Sequence, residues 1–339
     1  MIRRLRAANS CGVLFADNTR RYPMTVKETA EFLRAHDNYL ILTHTRPDGD
    51  TVGSAAGLCR ALRGIGKQAF VLPNPEMTPL FANYLEGLTC GEDYTPDTVV
   101  CVDIAARTMF PINAKQYVDK VDLTIDHHPS QEFYAKQTLL DASCSACGEI
   151  IYLVARELGT VDTLTAEALY VAVSTDCGCF AYGNTHAHTH RVAADLIDCG
   201  IDVPYLNKRH FRTKSWQRMQ LEGAILNSME LHDDGAVAIA CITIEMMESI
   251  GATQNDTEDI ANLVGALEGV KASVTIRELA PGKNKISLRT DPYWLNATAT
   301  CALLGGGGHI AASGATVDAD VEETKRVILD AIHQVRNGN

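Results

Sequence analysis

Short apolar runs alternate with longer helical patterns through the first half of the chain. The apolar runs predict buried strands, and segments in which apolar residues recur every three or four positions predict helices. Strands that alternate with helices form a parallel sheet with helices on both faces, so we predict an N-terminal α/β domain of this kind. The predicted strands are Tyr39–Thr43, Ala69–Leu72, Thr98–Val102 and Asp122–Ile125, and the predicted helices are Val52–Leu62, Ser145–Leu158, Thr163–Val173 and His186–Cys199.

The pattern changes near residue 236, after a predicted helix at Ser215–Met229. From there the sequence predicts a second, smaller α/β domain that ends in a helix at Glu322–Val335. We therefore divide the chain into an extension at 1–23, a first domain at 24–205, a linker with its helix at 206–235 and a second domain at 236–339. The predicted elements inside the second domain are strands at Val237–Ile244, Ala272–Leu279 and Lys285–Thr290, helices at Asp259–Leu267 and Asn296–Leu303, and a glycine loop at Gly305–Gly308.

Composition fits a globular protein with two cores, because 46% of the 339 residues are hydrophobic and 21% are charged. No uncharged apolar run reaches about 18 residues, so the sequence predicts no transmembrane helix and no membrane partner. The N-terminal arginines are not followed by the apolar stretch of an export signal. We therefore expect a cytoplasmic protein whose 11 cysteines are reduced thiols.

The formal net charge of −12 restricts the choice of partners. Proteins that bind duplex nucleic acid present a large basic face, so this charge argues against a duplex DNA partner. A short anionic substrate remains compatible with it, because bound divalent cations would reverse the charge locally.

The strongest local signal is the segment Thr43-His44-Thr45-Arg46-Pro47-Asp48-Gly49-Asp50, between a predicted strand and a predicted helix. His44, Asp48 and Asp50 could meet at one strand end, with proline and glycine forming the turn. The alternative is an ordinary loop with a helix cap, since Asp50 occupies an N-cap position. This segment alone leaves the two interpretations open.

Three further acidic segments follow in the same domain. Asp103 closes the run Val99–Val102, and a carboxylate at the end of a buried strand is unfavourable unless it is paired or bound to a metal. Four such ends together favour a metal site over a set of caps. Carboxylates mixed with imidazoles suit Mn²⁺ better than Mg²⁺. The other two acidic segments are Asp126-His127-His128 and Ser174-Thr175-Asp176.

These motifs resemble the DHH phosphoesterase superfamily in type and order. The loop Gly305–Gly308 with His309, followed by Ala311-Ala312-Ser313-Gly314, resembles the substrate-binding motif of the DHHA1 C-terminal domain found in that superfamily. The resemblance spans about residues 25–335. The size and two-domain layout are similar to the group of nanoRNases and pAp phosphatases, which degrade very short RNA and dephosphorylate 3′-phosphoadenosine 5′-phosphate. The glycine loop disfavours a family II pyrophosphatase, whose C-terminal domain differs.

The resemblance implies a role for each motif. Two divalent cations, most often Mn²⁺, would activate water for in-line attack on phosphorus, and Asp103 would bridge them. His128 would contact the scissile phosphate or protonate the leaving oxygen, although it could instead orient His127. The implied metal ligands are His44, Asp48, Asp50, Asp103, His127 and Asp176; the catalytic residues are His128 and Asp103; and the substrate-binding residues are Arg289, Gly305, Gly306, Gly307, Gly308 and His309.

Two other hypotheses remain open beside that of a nanoRNase or pAp phosphatase. The same site would serve a phosphodiesterase for cyclic di-AMP or pApA, and a nucleotide sensor without turnover would keep the fold. Cys177 stands where the family usually has threonine, which bears on metal preference rather than on reaction class. His186, His188 and His190 fit a solvated helix face better than a third metal site. The resemblance also implies a homodimer.

Overall fold

The computed structural model describes residues 23–257 and 260–338. Nearly all of the predicted extension, residues 1–22, lies outside this range. The chain divides between Arg212 and Thr213 into two compact units. Within the described ranges, no helix combines the length and apolar character needed to cross a bilayer. The ten cysteines of these ranges are free thiols.

The first unit confirms the predicted α/β class, with a five-stranded parallel sheet in the order β2-β1-β3-β4-β5. All four predicted strands are present, and a fifth, β5, was not predicted. The strands are β1 Tyr39–Leu42, β2 Ala69–Val71, β3 Thr98–Val102, β4 Leu123–Asp126 and β5 Gln137–Leu140; the helices are α1 Val26–Ala35, α2 Gly49–Gly64, α3 Pro79–Ala82, α4 Cys147–Leu158, α5 Thr163–Asp176, α6 Ala187–Asp198 and α7 Val203–Asn207.

The two faces of this sheet are covered differently. Tyr39 and Ile41 of β1 pack on the α-helical side, while Leu40 and Leu42 point to the opposite side because successive residues of a strand alternate. That opposite side is covered by a segment whose regular structure is 3₁₀-helical, at Arg107–Met109 and Ile112–Tyr117, rather than by long α-helices. Both faces are buried, as expected of a parallel sheet.

Strand order fixes where a ligand site can form. The chain leaves β1 for β2 on one side and returns to β3 on the other, so the carboxyl ends of β1 and β3 flank a topological switch point. In open α/β sheets ligands bind in the crevice at such a point. The acidic segments that follow β1 and β3 therefore face one crevice.

Helices α2 and α5 approach each other closely along a row of glycines. A Cβ atom built on Gly53 would lie 2.3 Å from the carbonyl oxygen of Ala168, and one built on Gly49 would lie 2.2 Å from Thr175 Oγ1. Gly57 meets Leu169 in the same way, further from the crevice. The missing side chains let the first turn of α2 lie against the last turn of α5.

The second unit holds a six-stranded mixed sheet in the order β10-β11-β9-β8-β7-β6, in which only β7 and β8 are parallel. Part of the predicted glycine loop is edge strand β10. The strands are β6 Glu230–His232, β7 Val237–Ile242, β8 Ala272–Ala280, β9 Lys283–Thr290, β10 Gly307–His309 and β11 Ala312–Val317; the helices are α8 Trp216–Asn227, α9 Ile244–Ile250, α10 Ile260–Val264, α11 Ala297–Ala302 and α12 Val321–Asn337.

His210 makes the stability of the first unit depend on pH. Its ring stacks on Phe81, and the Tyr84 hydroxyl lies 2.7 Å from Nε2, where it donates to the neutral ring. Burial, assisted by Arg209, lowers the pKa of His210 to about 4. The unfolded chain therefore binds the proton first, and stability present above about pH 6.5 should fall as pH drops toward 4, by at most about 3 kcal/mol.

Urea unfolding across this range checks the expectation. In the variant His210→Gln the free energy of unfolding should fall less steeply as the pH drops. The difference between wild type and variant separates the effect of His210 from that of the carboxylates that titrate in the same range. His36→Gln, at an exposed position, is the matched control. An equal slope in wild type and His210→Gln would contradict the assignment.

Candidate metal centre

The turn from β1 to α2 presents three of the predicted ligands. His44 is largely buried, and its Nε2 lies 3.6 Å from Asp48 Oδ1. The helix cap is Asp48 rather than Asp50, since Asp48 Oδ1 accepts from the backbone N–H groups of Asp50 and Thr51. Asp50 is instead a residue of the first helical turn, and its side chain does not cap the helix.

Asp103 lies between two groups of donors at the end of β3. Its Oδ2 is 3.5 Å from His44 Nε2, and its Oδ1 is 3.6 Å from His127 Nε2. Oδ1 is buried and finds no hydrogen-bond donor among the described residues. The residue also has a left-handed backbone, with φ of 58°, a strained conformation that is typical of functional sites. Its carboxylate thus faces both groups at once.

The second group consists of Asp50, His127 and Asp176. His127 Nε2 lies 3.8 Å from Asp50 Oδ2 and 3.7 Å from Asp176 Oδ2. Asp50 is fixed by the first turn of α4, because the backbone N–H groups of Cys147 and Gly148 donate to its two carboxylate oxygens at 2.7 and 2.9 Å. The six predicted metal ligands therefore form two clusters, and Asp103 lies between them through its contacts with His44 and His127.

Asp176 reaches this site at the end of a helix. The sequence interpretation placed it in the segment after the predicted helix Thr163–Val173, and in the structure that helix, α5, extends to Asp176 as its last residue. The glycine contacts between α2 and α5 carry it to the crevice, beside the start of α2. Cys177 follows as the C-cap of α5, and its buried thiol lies 3.8 Å from the Ser174 carbonyl oxygen, to which it donates.

His128 is held by a buried relay that the sequence interpretation did not assign. Its Nδ1 lies 2.8 Å from Oδ1 of Asp126, a fully buried carboxylate, and 3.4 Å from Asp103 Oδ1. The side chain of Gln131 donates to Asp126 Oδ2 and to the Ile104 carbonyl oxygen. The hydrogen bond to Asp126 raises the pKa of His128 to about 9. The only sequence signal for Asp126 was its place before the two histidines.

Electrostatics of the clusters favour a bound cation. Burial, with repulsion from neighbouring carboxylates, raises the pKa of Asp50 well above its usual range and that of Asp176 to about 6. The pKa of Asp103 is raised by burial too, although His44 opposes the shift. Burial would lower the pKa of His44, but Asp103 and Asp48 raise it to about 10. Divalent cations would relieve this repulsion.

The donor set fits divalent metal ions on three counts. It combines carboxylate oxygens with imidazole nitrogens, contains no thiolate, and includes the unpartnered Oδ1 of Asp103. Such ligands suit Mn²⁺ and similar cations. These properties concern the residues themselves and support the assignment of the six side chains as ligands.

The predicted substrate-binding residues lie on the sheet of the second unit. Arg289 of β9 and His309 of β10 are both register partners of Ala312 on β11. Register partners point to the same face, so the two side chains stand about 10 Å apart across a small alanine. Gly307 and Gly308 lie in edge strand β10, while Gly305 and Gly306 donate to the α11 carbonyl oxygens. An edge strand keeps alternate backbone groups free for a ligand.

Comparison with known proteins identifies the class to which this fold and site belong. Residues 38–173 match the sequence profile described as "DHH family, N-terminal domain". The bifunctional oligoribonuclease and PAP phosphatase NrnA of Thermus thermophilus is 30% identical over 327 residues, which cover 93% of this chain and 95% of that protein. The chain therefore belongs to the DHH family.

Two further relatives agree with this membership. The protein of the same name from Bacillus subtilis is 28% identical, over 89% of this chain and 96% of that protein. A crystal structure of an exopolyphosphatase-related protein from Bacteroides fragilis superposes with a TM-score of 0.82 at 24% identity, and covers 92% of this chain and 96% of that one. The latter likeness concerns the fold.

Proposed function

We propose that this chain is a metal-dependent phosphoesterase that hydrolyses very short oligoribonucleotides, 3′-phosphoadenosine 5′-phosphate, or both. The observation that carries the proposal is the pair of donor clusters joined by Asp103 at the switch point of the sheet. The names of the relatives from Thermus thermophilus and Bacillus subtilis describe both activities and support the substrate class.

The proposal includes two divalent cations, with Mn²⁺ favoured by the mixture of imidazole and carboxylate donors. His44, Asp48 and Asp103 would hold one cation. Asp50, His127 and Asp176 would hold the other, and the second oxygen of Asp103 would complete it. Such a pair of cations lowers the pKa of water and offsets charge on phosphoryl oxygens.

His128 is the acid in this proposal. Asp126 accepts the Nδ1–H of His128, so the proton that a protonated ring can deliver lies at Nε2, the nitrogen that does not face Asp126. The hydrogen bond to Asp126 raises the pKa of His128 and so favours the protonated ring. A proton held at Nε2 can be delivered to the leaving oxygen of the substrate, which is general acid catalysis. Gln131 contributes by holding Asp126 in position.

The second unit would bind a phosphate group in this proposal. Arg289 and His309 project from one face of the sheet with only Ala312 between them, and both are exposed. A guanidinium pairs with a phosphate through two parallel hydrogen bonds. The edge strand β10 adds glycine backbone groups that no side chain shields. The unit therefore offers phosphate contacts suited to a short nucleotide.

Turnover of a substrate panel tests the proposal. With Mn²⁺ present, an RNA dinucleotide and 3′-phosphoadenosine 5′-phosphate should be hydrolysed faster than long RNA, cyclic di-AMP or pyrophosphate. Arg289→Gln should raise KM for the favoured substrate by roughly 10- to 150-fold, since one charge-assisted phosphate contact contributes roughly 1.5–3 kcal/mol. Arg326→Gln, on the surface of α12, is the matched control and should leave KM unchanged.

The other outcomes separate the alternatives. If cyclic di-AMP or pApA is preferred, the assigned substrate changes but the reaction class, phosphodiester hydrolysis, stays the same. If the metal-loaded protein binds nucleotides but does not hydrolyse them, the proposed enzymatic activity is contradicted and a nucleotide sensor is favoured. Unchanged KM in Arg289→Gln would remove Arg289 from the substrate site without touching the metal centre.

Location and assembly complete the proposal. We infer a cytoplasmic homodimer that has no duplex DNA partner, in keeping with the net charge of −12. Light scattering of the purified chain should give the mass of a dimer. Titration with duplex DNA at low salt should show no binding.

A further inference from the structure

A second group of ligating side chains lies in the first unit, outside the two clusters described above. Cys144 belongs to the loop between β5 and α4, Glu149 to the first turn of α4 and His188 to the first turn of α6. One ligating atom of each side chain lies within 4.8 Å of the others. Three separate segments of the chain therefore converge on one point.

Glu149 gives the first reason to expect a cation there. The residue is fully buried, yet its Oε2 has no hydrogen-bond donor among the described residues. Its other oxygen accepts from the backbone N–H of Ser145 at 3.2 Å. Oε2 lies 3.6 Å from His188 Nε2, so the unpartnered atom points into the group. A buried carboxylate without a partner is strongly unfavourable, and coordination of a cation removes the penalty.

The Cys144 thiol is the second feature that points to a cation. It is buried, and its sulfur lies within 4.8 Å of ligating atoms of Glu149 and His188. The carboxylate of Glu149 opposes the charge of a thiolate at this distance. A divalent cation reverses this relation, because a thiol that coordinates a metal ion loses its proton.

The neighbouring residues do not share these properties. His186 and His190 are exposed, as the sequence suggested for this helix face, and His190 stacks on Phe180. The thiol of Cys147, three residues after Cys144, donates to the Ile125 carbonyl oxygen instead. The convergence is therefore specific to Cys144, Glu149 and His188.

We propose that Cys144, Glu149 and His188 form a separate binding site for a thiophilic divalent cation of the zinc type. A thiolate, a carboxylate and an imidazole are all zinc ligands, and Asp141 or a water would complete a tetrahedral set. The two clusters around Asp103 contain no thiolate, so the sites differ in the metal that they select.

The site would also help to hold His127, one of the proposed metal ligands, in position. The carbonyl oxygen of Cys144 lies 3.3 Å from His127 Nδ1, from which it accepts a hydrogen bond. A cation on the Cys144 side chain would fix the loop that presents this carbonyl. The orientation of His127 Nε2 toward Asp103 would then depend on the loop, as metal ligands generally depend on the partner of their other ring nitrogen.

Cobalt substitution tests the site, because sulfur-to-cobalt charge-transfer absorption arises only where a thiolate binds the ion. The purified full-length chain is treated with a chelator, kept reduced and titrated with Co²⁺. Wild type should show the absorption, and added Zn²⁺ should abolish it. Cys144→Ser should not show it, while Glu149→Gln and His188→Asn should weaken Co²⁺ binding at this site at least ~10-fold.

Two controls make the result specific. Cys199→Ser, which alters a half-buried thiol elsewhere in the first unit, should keep the absorption. Asp103→Ala should keep it as well, because that change disables only the thiolate-free clusters. Circular dichroism confirms that each variant is folded. Absence of the absorption in wild type, or its persistence in Cys144→Ser, would overturn the proposal and leave Glu149 paired with His188 alone.

Discussion

Replacing Asp103 by asparagine should lower kcat/KM for the favoured substrate by at least about 10³-fold, the scale at which one transition-state contact acts. One Asp103 oxygen faces His44 and the other faces His127. Asparagine keeps the shape but turns an NH₂ group toward one cluster and removes the charge that both share. Isothermal titration should show fewer Mn²⁺ ions per chain, and steady-state assays should show the loss in kcat.

A matched change at the other end of the sheet separates this effect from general damage. Asp122 precedes β4 and pairs with Lys136, away from the donor clusters. Asp122→Asn should therefore retain Mn²⁺ binding and turnover. Full activity in Asp103→Asn would refute the shared position of Asp103, and equal losses in the two variants would point to misfolding instead.

Replacing Gly53 by alanine should destabilise the first unit by about 1–3 kcal/mol or more, the usual result of overpacking. The added Cβ would lie 2.3 Å from the backbone carbonyl oxygen of Ala168, an atom that cannot turn aside. Helix α5 must shift, and Asp176 at its end would move away from His127. Urea unfolding should show lower stability, and Mn²⁺ affinity should fall together with it.

A glycine with free space around it provides the control. No atom lies within 4 Å of a Cβ built on Gly223, in helix α8. Gly223→Ala should stabilise its unit by about 0.5–1 kcal/mol, because alanine loses less backbone entropy in a helix. A neutral or stabilising Gly53→Ala would show that α2 and α5 are not held at close range.

The apolar runs predicted the parallel sheet well, because a strand buried on both faces is marked by an unbroken run such as Val99–Val102. Strand β5, Gln137–Leu140, carries only two apolar residues and was missed. Strands β10 and β11 were missed for a related reason, since glycine, alanine and serine dominate them. The pairing of β10 with β11 and of β11 with β9 comes from backbone hydrogen bonds, which leave little trace in side-chain hydrophobicity.

The candidate metal donors could be predicted because each lies where a recognisable element begins or ends, and in the structure these side chains lie close together. The packing that brings Asp176 to these donors could not be predicted from the sequence. A row of glycines in a helix indicates low helix propensity, and the pattern does not show that another helix lies close to it. Glu149 gave no signal, since a single glutamate in a helix is ordinary until its burial is known.

The donors of the two clusters come from chain segments that begin at His44 and end at Asp176. During synthesis the amino-terminal segments leave the ribosome first, and a domain folds only when its elements have all emerged. A nascent chain that stops before α5 lacks one donor and the helix that packs along α2. We therefore expect the proposed cation binding, and the phosphoester cleavage that would need it, only after the whole first unit has been translated.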